Sequence, residues 1–290
     1  MTDALTLRSA SETLAAPMPA LLAAADKLAA TVILGDHGRR RAGMGDTFWQ
    51  YRPAMQGDEA RMIDWRRSAR ADTNFVADKE WQIAQSVMMW VDGAAAMKFS
   101  SDNTLPTKSN RARTLALATA ILLTRGGERV GLTGLRLPPK RGAGQLRQMA
   151  ELLCETTPDD FGTPDTQGLL PHGRGLFISD FLGDMSTTST ALQKAADRGI
   201  KGCILQILDP QEEAFPFSGR TQFQSMGGGI VHETLSADGL KQRYREKLAA
   251  RKDALQSLAR QTGWQFQTHH TDASATSALL WLYQALEGRV

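Results

Sequence analysis

Two groups of residues in this chain have the types and spacing to do chemistry. The first is the run RPAMQGDEARMIDWRRSAR at residues 52–70. Asp58, Arg61, Asp64, Arg67 and Arg70 recur at every third position, with Arg52 and Gly57 upstream and Trp65 among them. On a helical turn, residues three apart are neighbours, so opposite charges at that spacing can pair. The run holds no His, no Cys and no nucleophile with a base beside it, so it reads as a clamp or a docking surface rather than a reaction centre. The simplest role for Trp65 is a core anchor. The charges around it either tie this segment to the rest of the fold or face a partner. The second group is Asp92, Asp180 and Asp209, each directly after a short apolar run. In open α/β sheets, ligands bind beyond the carboxyl ends of the strands, which puts Asp92 and Asp180 on one rim. The plainer role of these carboxylates is to accept hydrogen bonds from backbone N–H groups where strand turns to helix.

The elements that must position these groups follow from periodicity. Val87–Val91, Gly175–Ser179, Cys203–Leu208 and Trp264–Thr268 are predicted strands, and Arg129–Leu137 is one strand or a pair of short ones. Helical spacing covers Pro17–Leu34, Ser109–Thr124, Gly144–Glu155, Thr188–Arg198, Ala237–Thr262 and Ser274–Leu286. Thr47–Tyr51 is a short strand, and the alternation from Phe75 to Ile83 predicts a half-buried extended segment. Gln222–Leu235, split by Gly227, Gly228 and Gly229, reads as a hairpin standing off the sheet. Strands alternating with helices imply right-handed crossovers and a mainly parallel sheet covered on both faces. The division expected is an N-terminal segment over residues 1–85 carrying the motif, and an α/β domain over residues 86–290.

Composition narrows the function classes. The 290 residues are 42% hydrophobic with a net charge of +3. Between Leu34 and Trp81, nine Lys and Arg face eight Asp and Glu, so even the arginine-rich region is nearly balanced. Nucleic-acid binders concentrate a stronger excess on one face. Arg39-Arg40-Arg41 is accordingly a solvated loop or a protein-contact surface. Gly142-Ala143-Gly144 is only G-x-G, and no Gly-Lys-Ser/Thr follows anywhere, so a P-loop is absent. The five histidines fit no H-E-x-x-H spacing and no G-x-S-x-G is present, so the residues make no positive case for an enzyme. Two distant cysteines, Cys154 and Cys203, suit a reducing compartment. No signal peptide is recognisable, and Leu115–Leu123 is too short to span a bilayer. The expectation is a soluble cytoplasmic protein.

The run Arg52…Gly57-Asp58…Arg61…Ile63-Asp64-Trp65…Ser68-Ala69-Arg70 resembles the signature of the bacterial domain-of-unknown-function 58 family. The likeness extends upstream to Gly35-Asp36-His37 and Gly43-Met44-Gly45. Downstream it takes in Val87–Met97, Leu176–Phe181, Asp209-Pro210 with Glu212-Glu213, and Arg243-Tyr244. The resemblance implies a Rossmann-like sandwich of the von Willebrand factor A type with an N-terminal helix and strand segment. It also implies a partner, a MoxR-type AAA+ ATPase, with which such proteins act in chaperone-like assembly or maturation of a client. The alternative it implies is a metal-dependent adhesion-type binding module. Metal-binding von Willebrand A domains use Asp-x-Ser-x-Ser, a later Thr and a later Asp. Here Asp92 is followed by Ala94 and Ala96 at the serine positions, Asp180 fits the later Asp, and Thr163 or Thr166 the Thr. Magnesium wants six oxygens in an octahedron. The expectation is a degenerate site that holds no metal, with any residual affinity for Mg²⁺ weak.

Overall fold

The computed structural model describes residues 25–26, 28–29, 42–43, 47–55, 59–60, 63–70, 73–80, 85–134, 136–229 and 231–287. They fall into two units: residues 34–84, and residues 85–290 together with residues 1–33. The helical residues Ala25 and Ala29 are fully buried, and Asp26 pairs with Arg125 at 3.2 Å. That stretch therefore belongs with the larger unit, whereas the sequence groups it with the motif.

In the smaller unit, β1 (Ala42–Gly43), β2 (Thr47–Pro53) and β3 (Phe75–Glu80) form an antiparallel sheet in the order β1-β3-β2. Between β2 and β3 lies α1 (Trp65–Ser68), a single turn. Ser68 fixes it to the sheet: its buried hydroxyl donates to the Asp64 carbonyl and accepts from the Phe75 N–H, both at 2.8 Å. Residues 81–84, where the alternation continues in sequence, lie outside the described residues.

The larger unit starts with β4 (Ser86–Val91). Val87, Met88 and Met89 are all buried, because helices cover both faces of the strand. That is why it reads as an unbroken apolar run rather than an alternation. Next come α2 (Lys108–Arg125), β5 (Arg129–Leu132), β6 (Leu137–Lys140), α3 (Ala143–Cys154), β7 (Arg174–Ser179), α4 (Met185–Asp197) and β8 (Lys201–Leu208). A short α5 (Pro210–Ala214) leads to the hairpin of β9 (Thr221–Gln224) and β10 (Val231–Thr234). The chain closes with α6 (Asp238–Thr262), β11 (Gln265–His270) and α7 (Ala275–Glu287). No helix among the described residues is long and apolar enough to cross a membrane. The apolar stretch of α2 is a core helix, buried almost all round from Leu115 to Leu123.

The six-stranded sheet runs β11-β8-β7-β4-β5-β6, parallel throughout except for the antiparallel edge strand β6. The fold is a Rossmann-like α/β sandwich with a mainly parallel central sheet. Arg129–Leu137 resolves into two strands, because the chain turns back at Gly134 to lay β6 on the edge. The first strand of this sheet in the chain, β4, pairs with both β5 and β7, so the strand order reverses beside it. In open sheets such a reversal point opens a crevice at the carboxyl ends of the strands, where ligands bind. Asp92 and Asp180 follow the two strands that meet there.

Candidate functional site

All three strand-end aspartates are buried on this rim, and each accepts a hydrogen bond from the backbone beyond it. Asp92 Oδ1 accepts from the Ala94 N–H at 2.8 Å and Oδ2 from the Ser179 hydroxyl at 2.7 Å. The Gly162 N–H also points at this carboxylate, and a Cβ on Gly162 would overlap it. Burial pushes the Asp92 pKa up, against the pull of Ser179 and Ala94, with Asp180 adding to the rise. Asp180 Oδ1 accepts from the Leu182 N–H at 3.0 Å. Asp209 opens α5 with a capping box: it accepts from Gln211 N–H at 2.9 Å, and Glu212 accepts in return from its N–H. Ser101 N–H donates to its other oxygen at 2.9 Å.

The residue at the centre of the rim is one that sequence reasoning missed. Lys108, 1% exposed, puts its Nζ 2.8 Å from Asp180 Oδ2 and 2.6 Å from Glu212 Oε1. Burial disfavours its charge, but the Asp180 and Glu212 carboxylates outweigh burial and hold its pKa above the usual 10.5. Burial raises the Glu212 pKa against the pull of Lys108. A signal was present in sequence: a lysine at the first position of a helix opposes the helix dipole. Such a residue needs a compensating anion, and here it has two.

These residues do not fit a metal site of the aspartate-serine type. Ala94 is fully buried and brings no oxygen to the rim. Ala96 sits in the 3₁₀ turn Ala95–Lys98, its N–H bonded to the Asp160 carbonyl at 2.9 Å. The oxygens of Asp92 are held by Ser179 and Ala94, and Asp180 already faces an ammonium. Thr163 lines the same cleft of about 660 Å³ as Asp92, beside Arg113 and Arg136; Thr166 is not among its lining residues and closes a turn at Leu169.

The signature run is placed differently from the expected core anchor. Trp65 is 60% exposed. A one-turn helix has no second turn with which to bury a large ring, so Trp65 stands out from α1. Arg66, Arg67 and Arg70 are exposed too. Asp64 serves as the N-cap, accepting from the Arg66 and Arg67 N–H groups at 3.1 Å each and from the Tyr51 hydroxyl at 2.8 Å. These bonds, the Arg67 backbone contact first and then Tyr51, hold its pKa below the usual carboxylate range. Arg67 lies over the Tyr51 ring at 4.2 Å and near Phe75 at 5.4 Å. Tyr51, Phe75, Arg66, Arg67 and Arg70 line one open depression with Asp64. Arg52 is half-buried and donates to the Pro53 carbonyl at 3.2 Å. Gly57, Asp58 and Arg61, the other members of the motif, lie outside the described residues, as does Arg39-Arg40-Arg41.

Signature and rim fall together within residues 50–256, which match the family described as "Protein of unknown function DUF58". The chain belongs to the DUF58 family. Relatives of this DUF58 chain include uncharacterized proteins of Mycobacterium tuberculosis and Mycobacterium bovis. Each is 24% identical over 269 residues, covering 83% of this chain and 80% of the relative. Among solved structures, BatB from Bacteroides thetaiotaomicron aligns with a TM-score of 0.42 and 13% identity, over 71% of this chain and 98% of that one. An aerotolerance-related membrane protein from Bacteroides fragilis aligns with a TM-score of 0.41 and 14% identity, over 71% and 100%.

The rim of this DUF58 chain gives a direct expectation for metal. Anything that binds only the native state must stabilise it, so millimolar Mg²⁺ or Mn²⁺ is expected to leave the melting temperature within about 1 °C. Differential scanning fluorimetry with and without the ion checks this. A larger rise that disappears in Asp92→Asn overturns it.

Proposed function

We propose that this protein is a non-enzymatic interaction module that works with a MoxR-type AAA+ ATPase on a client protein. The observation that carries the reading is the display of the signature: Trp65 is 60% exposed beside exposed Arg66, Arg67 and Arg70. Trp and Arg are the residue types that dominate binding energy in protein interfaces. Their backbone is pre-set by the Asp64 cap and the Ser68 bonds, so little ordering is needed on docking. The reading implies a cytoplasmic location, which the free thiols Cys154 and Cys203 suit. What favours it over the metal-dependent adhesion-type alternative is Lys108, whose ammonium supplies the positive charge beside Asp180 that a cation would otherwise bring.

The test is co-expression of the tagged chain with a MoxR-type ATPase from the same genome, followed by affinity purification. The ATPase is expected to co-elute with the wild-type chain. Trp65→Ala is expected to reduce co-elution at least tenfold while changing stability by less than about 0.5 kcal/mol, as for other exposed positions. Failure of the wild-type pair to co-elute overturns the partnership. Equal co-elution with Trp65→Ala moves the contact away from the signature.

A further inference from the structure

Between α5, the β9–β10 hairpin and α6 lies a cavity of about 260 Å³ that opens onto the rim. Aromatic rings build it. Phe215, at the end of α5, is held at φ 43°, a left-handed conformation that a bulky side chain keeps only when its surroundings enforce it. What enforces it is ring packing: Tyr244 at 4.8 Å, Phe217 edge-on at 5.2 Å and Phe223 at 5.6 Å. Ring faces carry negative electrostatic potential.

The polar lining has the same sign. Lys108, Asp180 and Glu212 form the charged part of the wall, and Asp160 joins them. Asp160 accepts from the Ser225 hydroxyl at 3.1 Å and the Gly227 N–H at 2.7 Å, both neutral donors. Among the lining groups three carboxylates thus face one ammonium, and that ammonium is already engaged by two of them. The Tyr244 phenol feels this field: burial, then the Glu212, Asp180 and Glu213 carboxylates, push its pKa up.

We propose that this cavity takes one cationic side chain, an arginine or a lysine, from a partner polypeptide. The aliphatic stem would lie on the phenylalanine rings while the charged head meets a ring face and the carboxylates, the arrangement that cation–π recognition uses. An anion is disfavoured, because Lys108 has no charge to spare. The inference is independent of the ATPase reading, since it concerns the chemistry of the residue recognised and not the protein that carries it.

The test uses the ¹⁵N-labelled full-length chain and three probes: acetyl-Gly-Arg-Gly-amide and its Leu and Glu counterparts. The arginine peptide is expected to shift the amides of Leu182, Ser225 and Gly227, with a dissociation constant on the order of millimolar. The shifts should weaken as salt is raised. Asp160→Asn keeps an acceptor for the Gly227 N–H but removes the charge, and is expected to weaken binding by about threefold. Trp65→Ala is expected to bind the peptide like wild type, which separates this site from the signature. Equal binding of the leucine peptide, preferential binding of the glutamate peptide, no shifts with the arginine peptide, or unchanged affinity in Asp160→Asn would each overturn the proposal.

Discussion

Lys108→Met is expected to lower the stability of the protein by about 3–5 kcal/mol, the loss seen when one partner of a buried ion pair is removed. Methionine matches the length of the lysine stem, so packing changes little and the charge is what is lost. Asp180 and Glu212 would then share a buried site with no cation, at the 2.8 and 2.6 Å positions the ammonium now fills. For a domain of this size the loss corresponds to a fall in melting temperature of roughly 10 °C. The triple change Lys108→Met, Asp180→Asn, Glu212→Gln is expected to recover much of it, because neutral groups of similar shape carry no charge to desolvate. Urea unfolding followed by tryptophan fluorescence measures both. A Lys108→Met variant within about 1 kcal/mol of wild type would mean that water or another cation already solvates this corner, and the ion-pair account of the rim would fail.

The pH dependence separates the ion pair from simple packing. The Lys108 pKa is raised in the folded state above its ordinary 10.5. Its stabilising contribution is therefore fully present below that value and is lost as pH rises through the higher folded value. Between neutral pH and pH 10, wild type and Lys108→Met should keep a constant gap. The gap should narrow only in more alkaline solution.

How much of this was legible in the sequence depends on the range of each interaction. The strands announced themselves because burial on both faces demands an apolar run, as from Val87 to Val91. The rim was legible too, since a carboxylate directly after such a run has few places to go. Lys108 was legible only in part: its place at the start of a helix called for an anion, but the two that answer it stand 72 and 104 residues away along the chain. The three-residue spacing of the signature suggested ion pairs along a helix. Among the described residues of the run the α-helix is the single turn Trp65–Ser68, however, and Asp64 gives its oxygens to the backbone and to Tyr51. Nor could Trp65 be placed from composition. Hydrophobicity predicts that a tryptophan is buried, but a single turn of helix leaves it nothing to pack into. The places where local reasoning failed, Trp65 and Lys108, are the places where the proposed docking surface and the closed rim are found.

Gly202→Ala is expected to destabilise the larger unit by about 3 kcal/mol or more, as overpacking against fixed atoms does. Gly202 in β8 pairs directly with Gly175 in β7. A Cβ there would overlap the Gly175 carbonyl, which is backbone and cannot rotate away. Gly175 is constrained in turn: its missing Cβ leaves room for the Trp264 ring. That ring is fixed by its Nε1 bond to the Ile200 carbonyl at 3.0 Å and packs on Phe177 at 4.9 Å. The glycine pair thus sets how closely two central strands and the start of β11 approach. It lies at the opposite end of the strands from the rim, five residues or ~16 Å before Asp180. The urea midpoint should therefore fall sharply in Gly202→Ala. Well below that midpoint, the folded variant should still bind the arginine peptide with wild-type affinity. A variant that unfolds as late as wild type would show that the strands can part to admit a methyl group. One that stays folded but loses the peptide would mean that strand spacing reaches the rim, and that the rim is a deformable surface rather than one held by Lys108.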